Sequence, residues 1–279
     1  MATFNTATIL IDHFVESLET TYQRMYSGSG SEYQNVVHTA AIAAMEIIET
    51  SNALFHNTEH SMMVTLVGQE ILRGKFLRDG DVGPREWVHF IVSLLYHDIG
   101  YVRGICPGDR ENIAVINESG ETIAIPPAAT DAFLTPYHVE RGKQFVRWRF
   151  RDHSIIDVEV IAANIENTQF PVPEGVDAAL VGDYPGLVRA ADLIGQLADP
   201  EYIQKLPALF HEFEENGANE IFGYESPEDL RESYPAFYWN MVSGHIGKGI
   251  EYLRVTSEGR EWEAGLYSNV FSQQHRQYL

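Results

Sequence analysis

A chain of 279 residues, 44% hydrophobic and 11% aromatic, has enough apolar material for a sizeable core and reads as globular, not disordered. Its 19 Lys and Arg against 40 Asp and Glu leave a formal charge of −21, which argues against nucleic acid or an anionic membrane surface as partner, since both are gripped through basic side chains. Cys106 is the only cysteine, so an internal disulfide and any multi-thiolate metal site are excluded.

The opening "MATFNTATILIDHF" has no basic segment ahead of its apolar residues and no clear cleavage site, so no secretory signal is read and a cytoplasmic location is expected. No apolar stretch approaches the length of a membrane span. Residues 34–54 carry apolar side chains at helical spacing among good helix formers. A second helix is expected from an N-cap at Asn57 or Thr58 to Gly74. Pro84 suits the first turn of a third, "PREWVHFIVSLLYHD", with Gly100 just past its end. Residues 103–134 mix Gly, Pro, Asn and Asp with two short β-prone pieces, which suits an irregular insertion with a small hairpin. Thr135-Pro136 starts a fourth helix, residues 155–166 form a fifth, and 166–186 make an irregular connection to a sixth, "LVRAADLIGQLA". Asp199-Pro200-Glu201 is another cap-and-start signal, and "YWNMVSGHIGKGIEYLRV" adds helix near the C-terminus. The expected class is therefore all-α, one helical domain over 1–279 with a core of about 34–200 and a helical extension of about 201–279.

Polar residues that interrupt apolar helices mark the candidate chemistry. His97-Asp98 ends the run "FIVSLLY", where a carboxylate faces the negative end of the helix dipole and apolar neighbours imply burial. A divalent cation bound by imidazole and carboxylate answers both problems; a plain histidine–carboxylate hydrogen bond is the alternative. His60 lies in the first turn of another apolar helix, whose positive end favours the neutral, metal-binding imidazole. Asp192 borders the apolar stripe of "LVRAADLIGQLA", or pairs with Arg189 on the surface.

This set, His60, His97-Asp98 and Asp192 on separate helices, resembles the HD-domain superfamily of metal-dependent phosphohydrolases. "FHNTEHSMMV" is similar to the opening motif of its cyclic-nucleotide phosphodiesterase branch, and "LLYHDIGYVRG" to the central HD motif, over roughly residues 50–200. The resemblance implies a helical bundle in which His60, His97, Asp98 and Asp192 ligate a divalent metal ion. Asp98 would be able to bridge to a second ion or hold the attacking water, and His56 would protonate the leaving oxygen. Tyr101 departs from that branch, which places a histidine three residues after the aspartate. His138 matches one of the additional histidines of two-metal members, whereas Asn164 and Asn167 stand around the other. One ion is thus better matched than two, and Mg, Mn, Zn, Fe, Ni and Co are not distinguished. Arg103, Arg141 and Lys143 are candidates for neutralising phosphate. The implied function is hydrolysis of a phosphate ester, a nucleotide or cyclic nucleotide, with a small phosphorylated substrate as partner and homo-oligomerisation left open. A metal- or nucleotide-binding sensor without turnover is the alternative, and a di-iron oxygenase of the same fold would need more histidines.

Overall fold

The computed structural model describes residues 6–27, 31–173 and 182–276, and it is all-α apart from one hairpin. In chain order the helices are α1 (Thr6–Met25), α2 (Ser31–Ile48), α3 (Thr58–Asp79), α4 (Pro84–Tyr96), α5 (His138–Phe150) and α6 (Val158–Glu166). They continue with α7 (Tyr184–Leu197), α8 (Tyr202–Asn216), α9 (Ala218–Phe222), α10 (Pro227–Phe237), α11 (Ser243–Leu253) and α12 (Ser257–Arg276). The insertion holds an antiparallel pair, β1 (Ile113–Val115) and β2 (Thr122–Ala124), with Ala114 opposite Ile123. Part of the expected connection over 166–186, residues 174–181, lies outside the described residues. Among the described residues no helix is long and apolar enough to cross a membrane.

The cap before α3 is Asn57, whose side-chain oxygen accepts the backbone N–H groups of Glu59 and His60 at 3.0 and 3.2 Å. This helix does not stop at Gly74 as the sequence suggested. It runs on to a left-handed Gly80, and Gly74 serves close packing instead, since a Cβ there would fall 2.0 Å from the Tyr252 carbonyl oxygen of α11. The stretch read as helix near the C-terminus is interrupted: Tyr238–Val242 forms a π-helical turn between α10 and α11. Helix α1 was not anticipated, although Ile11, Phe14, Val15, Leu18 and Tyr22 give it an apolar stripe at helical spacing.

One buried cluster runs from Ile11 of α1 to Val270 of α12, so the C-terminal helices share the core of the preceding ones. A separate small cluster of Ala114, Ile125 and Leu134 sits beneath the hairpin. Helix α3 is the centre of the bundle and packs most extensively on α7, with α4 and α11 on its other sides. Gly195 of α7 lies against Val64 of α3 so closely that a Cβ would come within 2.6 Å of the Val64 Cα. That contact matters for the site: His60 stands one turn before Val64, and Asp192 one turn before Gly195.

Candidate metal centre

Every residue of α4 from Trp87 to Tyr96 is buried, so its polar end is buried too, with His97 1% and Asp98 6% exposed. The chain leaves α4 through His97 and Asp98 into a 3-10 turn, Ile99–Tyr101, closed by the Tyr101 N–H on the Asp98 carbonyl at 3.1 Å. Helix α3 supplies His60 and α7 supplies Asp192. Ligand atoms of His60, His97 and Asp192 all lie within 4.8 Å of one another. The Nε2 atoms of His60 and His97 are each 3.1 Å from Asp98 Oδ2 and 3.6 Å from Asp192 Oδ1. Four residues predicted from widely separated stretches thus meet at one point.

The hydrogen-bonding state of this cluster is its most informative property. His97 Nδ1 donates to the Leu94 carbonyl at 2.7 Å, which in the neutral ring leaves Nε2 with a lone pair facing Asp98. Among the described residues, His60 Nε2, His97 Nε2 and Asp98 Oδ2 are buried without a hydrogen-bond partner. An imidazole lone pair and a carboxylate oxygen 3.1 Å apart repel unless positive charge lies between them. Protonation behaviour carries the same message. Burial alone resists charge on either group, yet Asp98 and Asp192 hold His97 well above the usual histidine range, and His97 and His60 hold Asp98 well below the carboxylate range despite its burial. The cluster favours positive charge at its centre, and its nitrogen and oxygen donors could hold a divalent metal ion.

Beside it stands a second arrangement. His56, in the loop before α3, places Nδ1 2.5 Å from Oε2 of Glu212 on α8. Oε1 of the same carboxylate accepts the backbone N–H groups of Phe55 and His56 at 2.7 and 3.2 Å. Burial works against charge on His56, but Glu212, followed by Asp98 and Asp192, outweighs it and lifts the ring to about 9. Glu212, 1% exposed at its side chain, is held below the usual range by His56 in spite of burial. Sequence reasoning missed this carboxylate. The available signal was a charged residue on the buried stripe of α8, among Leu206, Leu209 and Phe210.

The remaining candidates divide. His138, the first residue of α5, donates from Nδ1 to the Thr135 carbonyl at 2.6 Å and brings Nε2 to 3.8 Å from Asp98 Oδ1. Burial moves its pKa down, against the pull of Asp98. Tyr101 is enclosed between the His56 and His138 rings, and burial, with Asp98 beside it, pushes its phenol well up. Asn164 is turned to other work: its amide donates to Ser93 Oγ at 2.9 Å, one turn back along α4 from His97. Asn167 accepts from Arg189 at 2.9 Å and donates to the Ala163 carbonyl. Neither asparagine joins the histidine–carboxylate cluster.

The three cations expected to meet phosphate are each engaged with groups of the chain itself. Arg141 is 0% exposed, and its guanidinium donates to the carbonyls of Gly100, Val102 and Val115 and to both oxygens of Asp109. Five N–H donors meet five acceptors, so nothing is left for a substrate. Lys143 lies between Glu140, at 2.6 Å, and Glu166. Arg103 pairs with the buried Asp131 at 2.6 Å and donates to the Ala129 carbonyl.

The fold and site define a helical protein with a buried histidine–carboxylate cluster able to hold a metal ion. The sequence pattern of a family described as Npun_R2479-like matches residues 4–276, and the chain belongs to that family. No curated protein and no solved structure gives a match.

Proposed function

We propose that the protein is a metal-dependent hydrolase of a phosphate ester, working on a helical core akin to that of the HD-domain phosphohydrolases. One observation carries the reading: buried, unpartnered Nε2 atoms of His60 and His97 converge on Asp98 and Asp192. These four residues would hold a divalent ion, which when bound supplies Lewis acidity toward a phosphoryl oxygen and acidifies water. The chain's own part follows from the neighbouring groups. His56 keeps a proton for the leaving oxygen, since Glu212 stabilises its charged form and the ring is 18% exposed at the side chain. Asp98 would orient the attacking water, and His138 lies against the same carboxylate from α5.

The engagement of Arg103, Arg141 and Lys143 supports a substrate of low charge, a phosphodiester in preference to a polyphosphate, because no free guanidinium or ammonium among these three meets extra negative charge. The test is hydrolysis of bis(4-nitrophenyl) phosphate by chelator-stripped protein before and after readdition of Mn²⁺, Mg²⁺, Zn²⁺ or Fe²⁺. Restored turnover supports the reading, and full activity in the stripped protein sinks it. The same shortage of free cations favours a second reading, a module that binds metal or ligand without turnover. Nucleotide binding that survives His56→Ala, with no hydrolysis by any metal form, would select it.

A further inference from the structure

We propose that Tyr101 is a positioning residue, an aromatic spacer that fixes the ring planes of His56 and His138 on either side of it. The significance given to those planes rests on the hydrolase reading above; the stack itself does not. The Tyr101 ring lies 4.6 Å from the His56 ring at an interplanar angle of 12°, and 4.5 Å from the His138 ring at 21°. Each imidazole has its outer nitrogen tied down, His56 Nδ1 on Glu212 and His138 Nδ1 on the Thr135 carbonyl. A single hydrogen bond leaves a ring free to rock about that anchor, and a flat face against it removes the freedom. Thr135 serves both partners, since its carbonyl takes His138 and its side chain meets the Tyr101 phenol.

The spacer is itself held from behind. Arg141 donates to the carbonyls of Gly100 at 2.7 Å and Val102 at 2.8 Å, the residues on either side of Tyr101. Gly100 lets this turn sit directly on α5, because a Cβ there would fall 1.8 Å from the His138 carbonyl oxygen. Asp109 and the Val115 carbonyl complete the Arg141 shell and tie the insertion to the same point. A chain of contacts thus runs from the insertion through Arg141 and the 3-10 turn to the two histidines. Tyr101 itself lies three residues after Asp98 and closes the turn that Asp98 caps, its N–H on the Asp98 carbonyl at 3.1 Å.

The experiment compares wild type, Tyr101→Phe and Tyr101→Leu for metal content, for kcat and KM on bis(4-nitrophenyl) phosphate with Mn²⁺, and for histidine ring-proton shifts in the metal-free protein. The phenylalanine variant keeps the stack and should hold kcat within about threefold, while the leucine variant should lose about 100-fold in kcat with KM and metal content little changed, the scale of a misplaced reacting group. The ring-current contribution of residue 101 at His56 and His138 should persist in the phenylalanine variant and vanish in the leucine one, leaving at His56 what Phe55 supplies. If leucine prevents folding, methionine, which fills irregular gaps, replaces it. Equal loss in both variants, or an aliphatic variant with undiminished kcat, overturns the proposal. Should wild type hydrolyse nothing, the hydrolase reading fails and the His138 ring shift judges the spacer alone: its absence from wild type, or its survival undiminished in the aliphatic variant, overturns it.

Discussion

Glu212→Gln isolates the electrostatic contribution of the His56–Glu212 pair from its packing. The carboxylate receives three N–H groups, from Phe55, from His56 and from the imidazole, and it is almost wholly buried. In the metal-free protein the His56 ring is pushed up to about 9 from an ordinary 6.5. At about 1.4 kcal/mol for each tenfold change, the whole displacement is worth about 3 kcal/mol. Glu212 is the largest raising influence, with Asp98 and Asp192 behind it, so that figure is an upper bound on what Glu212 supplies net of the cost of burial. The folded state holds a proton that the unfolded chain releases above about pH 6.5, so this stabilisation is complete below that pH and is lost as pH rises through about 9. Urea unfolding of chelator-stripped wild type and Glu212→Gln should therefore show a deficit that shrinks, by at most about 3 kcal/mol, between about pH 6 and pH 9.5. What remains at high pH is the difference between a carboxylate and an amide oxygen as acceptor for the two backbone N–H groups, which does not titrate. A deficit constant across that range would refute the reasoning.

His97→Ala should lose bound metal, read by elemental analysis, while its far-ultraviolet circular dichroism stays helical; unchanged stoichiometry would remove His97 from the ligand set. Arg141→Met should cost about 3–5 kcal/mol in urea unfolding, because it strands Asp109 and three buried carbonyls. A loss below about 1 kcal/mol would show that these groups find other partners. His89 accepts the Asp157 backbone N–H on Nε2 at 2.9 Å, and burial depresses its pKa. The unfolded chain then binds this proton first, so stability falls as pH drops below about 6.5. His89→Gln, which can accept the same N–H without titrating, should flatten that part of the melting-temperature profile, and an identical profile would count against the assignment.

The sequence exposed the cluster through contrast. His60, His97, Asp98 and Asp192 each break an otherwise apolar helical stripe, and a buried polar residue announces a partner even when the partner is far away. The insertion was legible for a similar local reason, since "NESG" separates two β-prone pieces that pair as β1 and β2. Glu212 was not, because its partner lies 156 residues away and its helix offers no motif. Nor did the surroundings of Arg141 reveal its role: whether a guanidinium meets solvent or three carbonyls depends on the path of the insertion, not on residues 137–150. Gly74 failed as a stop signal for the same kind of reason, tertiary packing against α11 overriding a local preference.

The division of labour on the hydrolase reading follows from how three carboxylates are satisfied. Asp98, Asp192 and Glu212 all approach imidazoles, and none of them forms an ion pair with Lys or Arg among the described residues. Glu212 is complete: one oxygen takes two backbone N–H groups, and the other takes the His56 ring. Its pair needs only a proton, and a proton held there is available at the one imidazole of the pair that is partly open to solvent. Asp98 is incomplete, since its Oδ2 faces the Nε2 atoms of His60 and His97 without a hydrogen-bond partner. A proton satisfies one such contact at a time, whereas a divalent ion satisfies the nitrogens and both carboxylates together. The two arrangements therefore differ in what they accept. The centre around Asp98 favours a metal, and the pair at His56 favours the proton that a leaving oxygen requires.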